Sequence, residues 1–128
     1  MIRFQVIGET PSKKNVNKFN SKSKRVYKDK HFLKWHTDAL LQLNSQLCRI
    51  DPMPNLIDYP VIITIDFYHG DYVRRDSDNQ VSSIMDLLQD AKILADDNWK
   101  IVREIRVMNQ YEKNEPRCVI EISPFKGL

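Results

Sequence analysis

The sequence predicts an α+β domain in which a mixed sheet is covered by two helices, with the elements in the order β-α-β-α-β-β. Four segments show apolar–polar alternation or short runs of β-branched residues, and two others carry apolar residues at three- and four-residue spacing. The chain has 128 residues, of which 41% are hydrophobic. This is enough for one ordinary domain, residues 1–128, with its own core.

The first half of the chain is predicted to hold two strands and one helix. Met1 to Gly8 alternates apolar and polar residues, as a half-buried strand does. Residues 12 to 27 are polar and basic without an apolar period, so we expect a loop there. A helix is predicted roughly from Lys28 to Leu47, because apolar residues recur along one face. Val61 to His69 is dense in β-branched and aromatic residues and predicts a buried strand.

The second half is predicted to hold one helix and two strands. The helix runs from Asp78 or Asn79 to Ile93, with a turn at Ala95 to Trp99 after it. A strand follows from Ile101 to about Tyr111. Lys113 to Pro116 is typical of a hairpin turn, and Arg117 to Ser123 is the returning strand, with Cys118, Ile120 and Ile122 on one face.

Charge is divided unevenly along the chain, although the net charge is only +3. From Lys13 to Lys34 there are nine Lys or Arg and one acid, Asp29, whereas Asp76 to Asp97 contains six Asp and one Lys, Lys92. A basic arm attracts phosphates and clustered acids hold cations, as a nuclease requires. Two solvated surface runs would account for the same charges.

The remaining composition indicates a cytoplasmic, soluble protein. Cys48 and Cys118 form neither a metal-ligand nor a CxxC spacing, and they are typical of buried thiols in a reducing compartment. No charged-then-apolar leader opens the sequence and no apolar run approaches a membrane span, so we expect no membrane partner.

The acidic centre has two parts, Asp76-Ser77-Asp78 and Asp96-Asp97. In an extended loop Asp76 and Asp78 point the same way, and with a third acid they can hold a magnesium ion with open water positions. Asp97 supplies that third carboxylate only if the chain folds back, because the ends of the intervening helix lie roughly 22 Å apart. The alternative is local, with Asp78 or Ser77 as a helix cap and Asp76 and Asp96 as turn formers.

Arg74 and Arg75 directly precede these acids. Guanidinium groups beside a metal site can hold the scissile phosphate or stabilise negative charge during attack on a phosphodiester. Alternatively, the two arginines offset the acids in a surface cluster of salt bridges.

Together these residues resemble the RusA family of Holliday junction resolvases. Arg74-Arg75-Asp76-Ser77-Asp78-Asn79, Asp86-Leu87-Leu88 and Asp96-Asp97 match, without gaps, a family pattern that is approximately R-x-D-x-D-N-x-x-K-x-x-x-D-x-L followed by D-D. Pro11-Ser12-x-x-Asn15, before a basic run, is similar to the family's opening. The resemblance covers nearly the whole chain in the same element order.

The resemblance implies a homodimeric, magnesium-dependent endonuclease that cuts four-way DNA junctions symmetrically, with manganese as an alternative metal. It implies that Asp76, Asp78 and Asp97 are the catalytic metal ligands and that Arg75 is a catalytic residue near the phosphate. The DNA-binding residues that it implies are Lys13, Lys14, Lys22, Lys24, Arg25 and Arg74.

One position departs from the family pattern, since Ser82 stands where a lysine is expected. A lysine there would lie one helical turn from Asp78, whereas serine supplies no cation. Lys100 or a lysine of the N-terminal arm could replace it. Three outcomes follow: full activity with a relocated lysine, weakened activity, or junction binding without cleavage.

Two rival functions remain at this point. One is a branched-DNA binding protein that does not cut, which the Ser82 departure favours. The other is a small interaction protein with a basic arm and no nucleic-acid role. Affinity for branched DNA that falls with added salt separates the second rival from the others.

Overall fold

A computed structural model of the protein describes the backbone of residues 1–12, 17–20, 25–28 and 30–127, with the side chains of 1–12 and 30–127. These ranges contain β1 (Ile2–Ile7), β2 (Asn17–Asn20), β3 (Arg25–Lys28), α1 (Lys30–Cys48), β4 (Val61–His69), α2 (Ser77–Asp90), β5 (Val102–Tyr111) and β6 (Arg117–Pro124).

The α+β class and the order of the main elements are confirmed. β1, β6, β4 and β5 form one sheet in that spatial order. β6 runs antiparallel to both β1 and β4, whereas β4 and β5 are parallel, so the sheet is mixed as predicted. Alternate residues of β4 from Val61 to Phe67 are buried in one core with the apolar faces of α1 and α2.

The segment between β5 and β6 is not the predicted hairpin turn. β4 lies between the two strands, so Lys113 to Pro116 belong to a crossing over the end of β4. There the amide of Glu112 donates to the carbonyl of His69 at 2.8 Å. Gly70 lies under the crossing, where a Cβ atom would approach Pro116 Cγ to 2.7 Å. Turn residues indicate that a chain reverses, but they do not indicate which strand it pairs with afterwards.

The basic arm differs from the expected loop. β2 and β3 pair antiparallel inside it, with Asn17 opposite Lys28 and Asn20 opposite Arg25. They form a separate two-stranded sheet. The strand predictions depended on apolar alternation, which the arm lacks, so this ribbon left no signal of that kind.

α2 begins one residue before the predicted range and ends three residues before Ile93. Its inner face carries Ile84, Met85, Leu88 and Ala91, which are buried. Lys92 ends the helix with a φ of 61°. The amides of Lys92 and Ile93 donate to the carbonyls of Gln89 and Leu88 at 3.0 Å each. These two bonds are those of a Schellman ending, which stops the helix and redirects the chain towards β5.

The two cysteines lie in different environments. Cys118 is buried as predicted, and burial raises the pKa of its thiol far above the usual range. Cys48 is exposed at the end of α1, so the prediction of a buried thiol is wrong there. In the described part of the chain, no helix combines the length and apolar content needed to cross a membrane.

Candidate active site

Asp76 and Asp78 flank the first residue of α2, at the end of the sheet where β4 finishes. The hydroxyl of Ser77 accepts a hydrogen bond from Asn109 Nδ2 at 3.1 Å, and Asn109 lies opposite Phe67 of β4. Asp76 takes the N-cap position, so the alternative in which Asp78 or Ser77 caps the helix is wrong.

The carboxylates of Asp76 and Asp78 are available to a ligand. The Asp76 side chain makes no capping hydrogen bond and is 53% exposed. Asp78 is exposed in the first turn, and its carboxylate makes no hydrogen bond or ion pair with a described residue. The positive end of the helix dipole favours both negative charges. It would also favour a phosphate group that approached them.

Glu9 ties three neighbouring elements together at this end of the sheet. It follows β1, and its carboxylate lies 2.9 Å from His69 Nδ1 at the end of β4. It accepts a hydrogen bond from Gln80 Nε2 of α2 at 3.1 Å and lies 3.3 Å from the Arg75 guanidinium. Because Glu9 is only 25% exposed, water competes weakly for these contacts. The cluster holds the first turn of α2 in place, and so positions Asp76.

The residues just before the basic arm are hydrogen-bonded to α2. Gln80 Nε2 donates to the carbonyl of Thr10 at 2.7 Å, and the Ser83 hydroxyl donates to the carbonyl of Pro11 at 2.6 Å. Both side chains are buried, at 1% and 0% exposure, on a helix face that is otherwise apolar. These bonds place the point where the arm leaves the core beside the N-terminal half of α2.

The two arginines have different surroundings. The Arg75 guanidinium donates to the Asp71 carboxylate at 2.7 and 3.2 Å and to the carbonyl of Val73 at 3.2 Å. Its hydrogen bonds lower the pKa of the Asp71 carboxyl, and Asp71 in turn raises the pKa of Arg75. Arg74 is 94% exposed, and its nearest ion-pair contact is with Asp76 at 4.0 Å. Arg74 is therefore freer to reach a phosphate than Arg75, whose predicted catalytic role stays a prediction.

Asp96 and Asp97 lie in a tight turn between α2 and β5. The Asp96 carboxylate accepts from the amide of Asp97 at 2.7 Å and from Asn98 Nδ2 at 3.0 Å. The side-chain amide of Asn98 and the backbone amide of Asp97 lower the pKa of the Asp96 carboxyl. Asn98 Oδ1 accepts from the amide of Lys100 at 3.0 Å. The alternative in which Asp96 forms a turn is confirmed, and the turn presents Asp97 as an exposed residue.

The turn lies at the opposite end of β4 from Asp76 and Asp78. The carbonyl of Ile101 accepts from the amide of Val61, the first residue of β4, at 2.7 Å. Nine residues of strand separate the two ends by about 26 Å. In the described residues, no group of three or more His, Cys, Asp or Glu could hold a metal ion. The chain therefore does not fold back far enough for Asp97 to share a metal ion with Asp76 and Asp78 of the same chain. The role of Asp97 as a metal ligand stays a prediction.

Among the described residues, no lysine forms an ion pair with Asp78. The Ser82 hydroxyl donates to the backbone carbonyl of Asp78 at 3.0 Å and serves its own helix. Lys100 lies in the Asp97 turn, at the far end of β4. Of the predicted DNA-binding residues, Lys13, Lys14, Lys22 and Lys24 lie outside the described residues, and Arg25 begins β3.

Comparison with known proteins decides the family. The family model for endodeoxyribonuclease RusA matches residues 9–123, almost the whole chain. The chain belongs to the RusA endodeoxyribonuclease family. It is also similar to the crossover junction endodeoxyribonuclease RusA of Aquifex aeolicus (strain VF5), with 24% identity over 121 residues. That alignment covers 94% of this chain and 90% of the relative. The resemblance to the RusA family, which rested on the motifs, is confirmed. Membership of this family indicates that the chain is a nuclease.

The cluster around Glu9 is the part of this RusA family site that the sequence did not reveal. In the sequence, Glu9 is a single acid after the first strand, and His69 shows no metal-ligand spacing with the other histidines. The available signal was the pair of polar residues on the apolar face of α2, Gln80 and Ser83, which need buried partners.

Proposed function

We propose that this chain is a magnesium-dependent endonuclease that resolves four-way DNA junctions during recombination and repair, acting as a homodimer in the cytoplasm. Membership of the RusA endodeoxyribonuclease family carries the proposal, together with the name of the Aquifex aeolicus relative, a crossover junction endodeoxyribonuclease. The exposed carboxylates of Asp76 and Asp78, held at the start of α2, supply the supporting chemistry.

The donor set fits magnesium. This ion prefers carboxylate oxygens, keeps several waters and is commonly bound by one or two carboxylates together with phosphate oxygens. Asp76 and Asp78 would hold the ion, and Asp97 would complete the set. When bound, magnesium lowers the pKa of a coordinated water and polarises the phosphodiester.

The chain's own residues orient the substrate. The exposed Arg74 guanidinium would pair with phosphate oxygens close to Asp76, and the N-terminus of α2 would add a favourable dipole. The basic arm, whose root is fastened to α2 through Thr10 and Pro11, would contact the backbone of a neighbouring DNA arm. A four-way junction has approximate two-fold symmetry, so a two-fold dimer would present two sites to opposed strands.

Ser82 supports a second candidate, a branched-DNA binding protein that does not cut. Its hydroxyl donates to the helix backbone, and no lysine of the described residues forms an ion pair with Asp78. Binding through the basic arm does not require that lysine, whereas stabilising negative charge in the transition state does.

Cleavage of a synthetic four-way junction tests the proposal. The labelled junction is incubated with the protein in magnesium, in manganese and in excess chelator, with a linear duplex of the same sequence as the control. We expect paired nicks in opposed strands with either metal, none with chelator and little cutting of the linear duplex. Retained junction binding without nicks in either metal would support the second candidate instead.

A further inference from the structure

Two exposed tyrosines stack on each other beside the first turn of α2. Tyr72 lies in the loop between β4 and α2, and Tyr111 ends β5. Their ring centroids are 4.4 Å apart, and the ring planes are inclined by 22°. Tyr72 remains 84% exposed although it stacks on Tyr111, so the opposite face of its ring is open to solvent. The pair therefore offers an aromatic face to a planar ligand.

A cavity of about 220 Å³ adjoins this pair, and hydrogen bonds fix its walls. It is lined by Tyr72 and Tyr111 together with His69, Asp71, Asn109 and Gln110. The ring nitrogens of His69 lie 2.9 Å from Glu9 Oε2 and 2.8 Å from Asn109 Oδ1. Pockets for drug-sized ligands measure about 300–1,000 Å³, so this cavity suits a smaller group.

The cavity lies beside the acids proposed to bind metal. Asn109, one of its lining residues, donates from Nδ2 to the hydroxyl of Ser77, which stands between Asp76 and Asp78. Arg74 follows Tyr72 by two residues in the same loop, and its guanidinium lies 4.0 Å from the Asp76 carboxylate. A nucleotide bound here would set its phosphate beside Arg74 and its base against Tyr72.

Charge decides which part of a nucleotide the cavity accepts. The Asp71 carboxylate lines the cavity, and hydrogen bonds from the Arg75 side chain and the Val73 amide lower its pKa. Asp71 is therefore ionised at neutral pH. A phosphate that entered the cavity would meet a like charge, whereas an uncharged base would not.

We propose that the Tyr72–Tyr111 pair binds an unpaired nucleobase of branched DNA and so selects the phosphodiester that reaches Asp76 and Asp78. The inference rests on the proposed function for its DNA substrate. Bases of single-stranded DNA stack on aromatic side chains, and this stacking contributes substantially to binding. A base within an intact duplex already stacks on its neighbours, so the pair favours the branch point, where a base leaves its stack at lower cost.

The cavity should accept any of the bases. Contacts within the protein occupy both ring nitrogens of His69 and both polar atoms of the Asn109 side chain. The two oxygens of the Asp71 carboxylate likewise accept hydrogen bonds from Arg75. These groups hold the walls of the cavity and are already engaged, whereas sequence readout requires hydrogen bonds to base edges. The tyrosine pair therefore selects branched over linear DNA, not one sequence over another.

A binding cycle in excess chelator tests the inference without any cleavage. The wild type and Tyr72→Ala are titrated, by fluorescence anisotropy, against a labelled four-way junction. They are also titrated against junctions in which an abasic analogue replaces the nucleotide on one side of the branch point in all four strands. We expect Tyr72→Ala to bind the intact junction about tenfold more weakly than the wild type, as loss of one stacked base would. On one side of the branch point, the analogue should weaken the wild type similarly and leave Tyr72→Ala unchanged.

Two further variants separate stacking from folding and from general loss of surface. Tyr72→Phe keeps the ring and should bind as the wild type does. Tyr59→Ala, at an exposed tyrosine before the opposite end of β4, is the matched control and should also bind normally. Equal thermal unfolding midpoints would show that all the variants fold.

Three results would overturn the inference. One is an unchanged affinity of Tyr72→Ala for the junction, and another is purely additive losses from Tyr72→Ala and the abasic analogues. The third is a change from dimer to monomer in Tyr72→Ala by sedimentation velocity, which would assign the pair to a contact between copies. Any of these beside an active wild type leaves the proposed function standing. Coupling in the binding cycle without nicks in magnesium or manganese would refute the proposed cleavage and retain the base-binding pair.

Discussion

The two ends of β4 carry acids that are held in different ways. At the C-terminal end, Glu9 joins His69, Gln80 and Arg75, residues that are remote from it in the sequence. At the N-terminal end, the turn at Asp96 is built from hydrogen bonds between residues one or two positions apart. Long-range contacts fix the first end to the core, whereas the second end is shaped locally and stands exposed.

The positions of the acids at the two ends therefore depend on different contacts. Contacts with the core fix the position of Asp76 and Asp78. The Asp97 turn keeps its shape through its own hydrogen bonds. Substitutions at one end of β4 should therefore leave the structure of the other end intact.

The largest effect is expected from the acids themselves. Asp78→Asn and Asp97→Asn should each lower the junction cleavage rate by at least about a hundredfold, because removing even an outer partner of a metal ligand costs ten- to a hundredfold. Both variants should retain junction affinity in a gel-shift assay. Asp38→Asn, an exposed acid of α1, is the matched control and should cut normally. Loss at Asp78 but not at Asp97 would break the proposed partnership of the two ends.

The Ser82 position should respond by a smaller factor. Ser82→Lys places a cation one turn from Asp78 and should raise the cleavage rate roughly tenfold if that cation is what limits the reaction. Ser82→Met, with a side chain of similar length and no charge, is the control for helix propensity and packing. An unchanged single-turnover rate in Ser82→Lys would indicate that a lysine from elsewhere already serves the site.

The Glu9 cluster should matter more to stability than the local turn does. Glu9→Gln removes the charge that His69 and Arg75 face, and it should lower the free energy of unfolding by about 1–3 kcal/mol. Asp96→Asn, in the exposed turn, should lower it less. Urea unfolding followed by circular dichroism measures both, with the exposed Glu115→Gln as control. Equal losses at Glu9 and Asp96 would mean that the two ends are not held differently.

The smallest effect is expected where α2 ends. Lys92 adopts a left-handed conformation that costs a side-chain-bearing residue about 1–2 kcal/mol and costs glycine little. Lys92→Gly should therefore raise the free energy of unfolding by about 1 kcal/mol. Lys92→Ala, which keeps a Cβ atom, should not. A stabilised Lys92→Gly that also lost cleavage would show that the side chain of Lys92 takes part in the reaction.

Local patterns predicted the helices, the main strands and the fold class, because each element depends on the spacing of its own residues. Pairing was harder. Lys113 to Pro116 carry turn residues whether the next strand pairs with β5 or crosses β4, and only non-local packing selects the crossing. The ribbon of β2 and β3 has no apolar alternation, so the sequence predicts a loop where the structure has two paired strands.

The candidate site was predictable only in part. The acids and their order could be identified because they lie in a motif with fixed spacing. The role of Glu9 could not, since its partner His69 is 60 residues away and nothing local marks the pair. The position of Asp97 depends on the parallel pairing of β4 with β5, which sets the turn at the opposite end from Asp76. That pairing is a property of the whole sheet.

The central claim is that Asp76 and Asp78 hold a divalent metal ion at the start of α2. A crystal structure of the full-length protein grown with manganese, with anomalous scattering to locate the metal, tests it most directly. We expect one manganese peak per chain, about 2.1 Å from carboxylate oxygens of Asp76 and Asp78. Manganese bound elsewhere, with the carboxylates of Asp76 and Asp78 free of metal, would contradict the account.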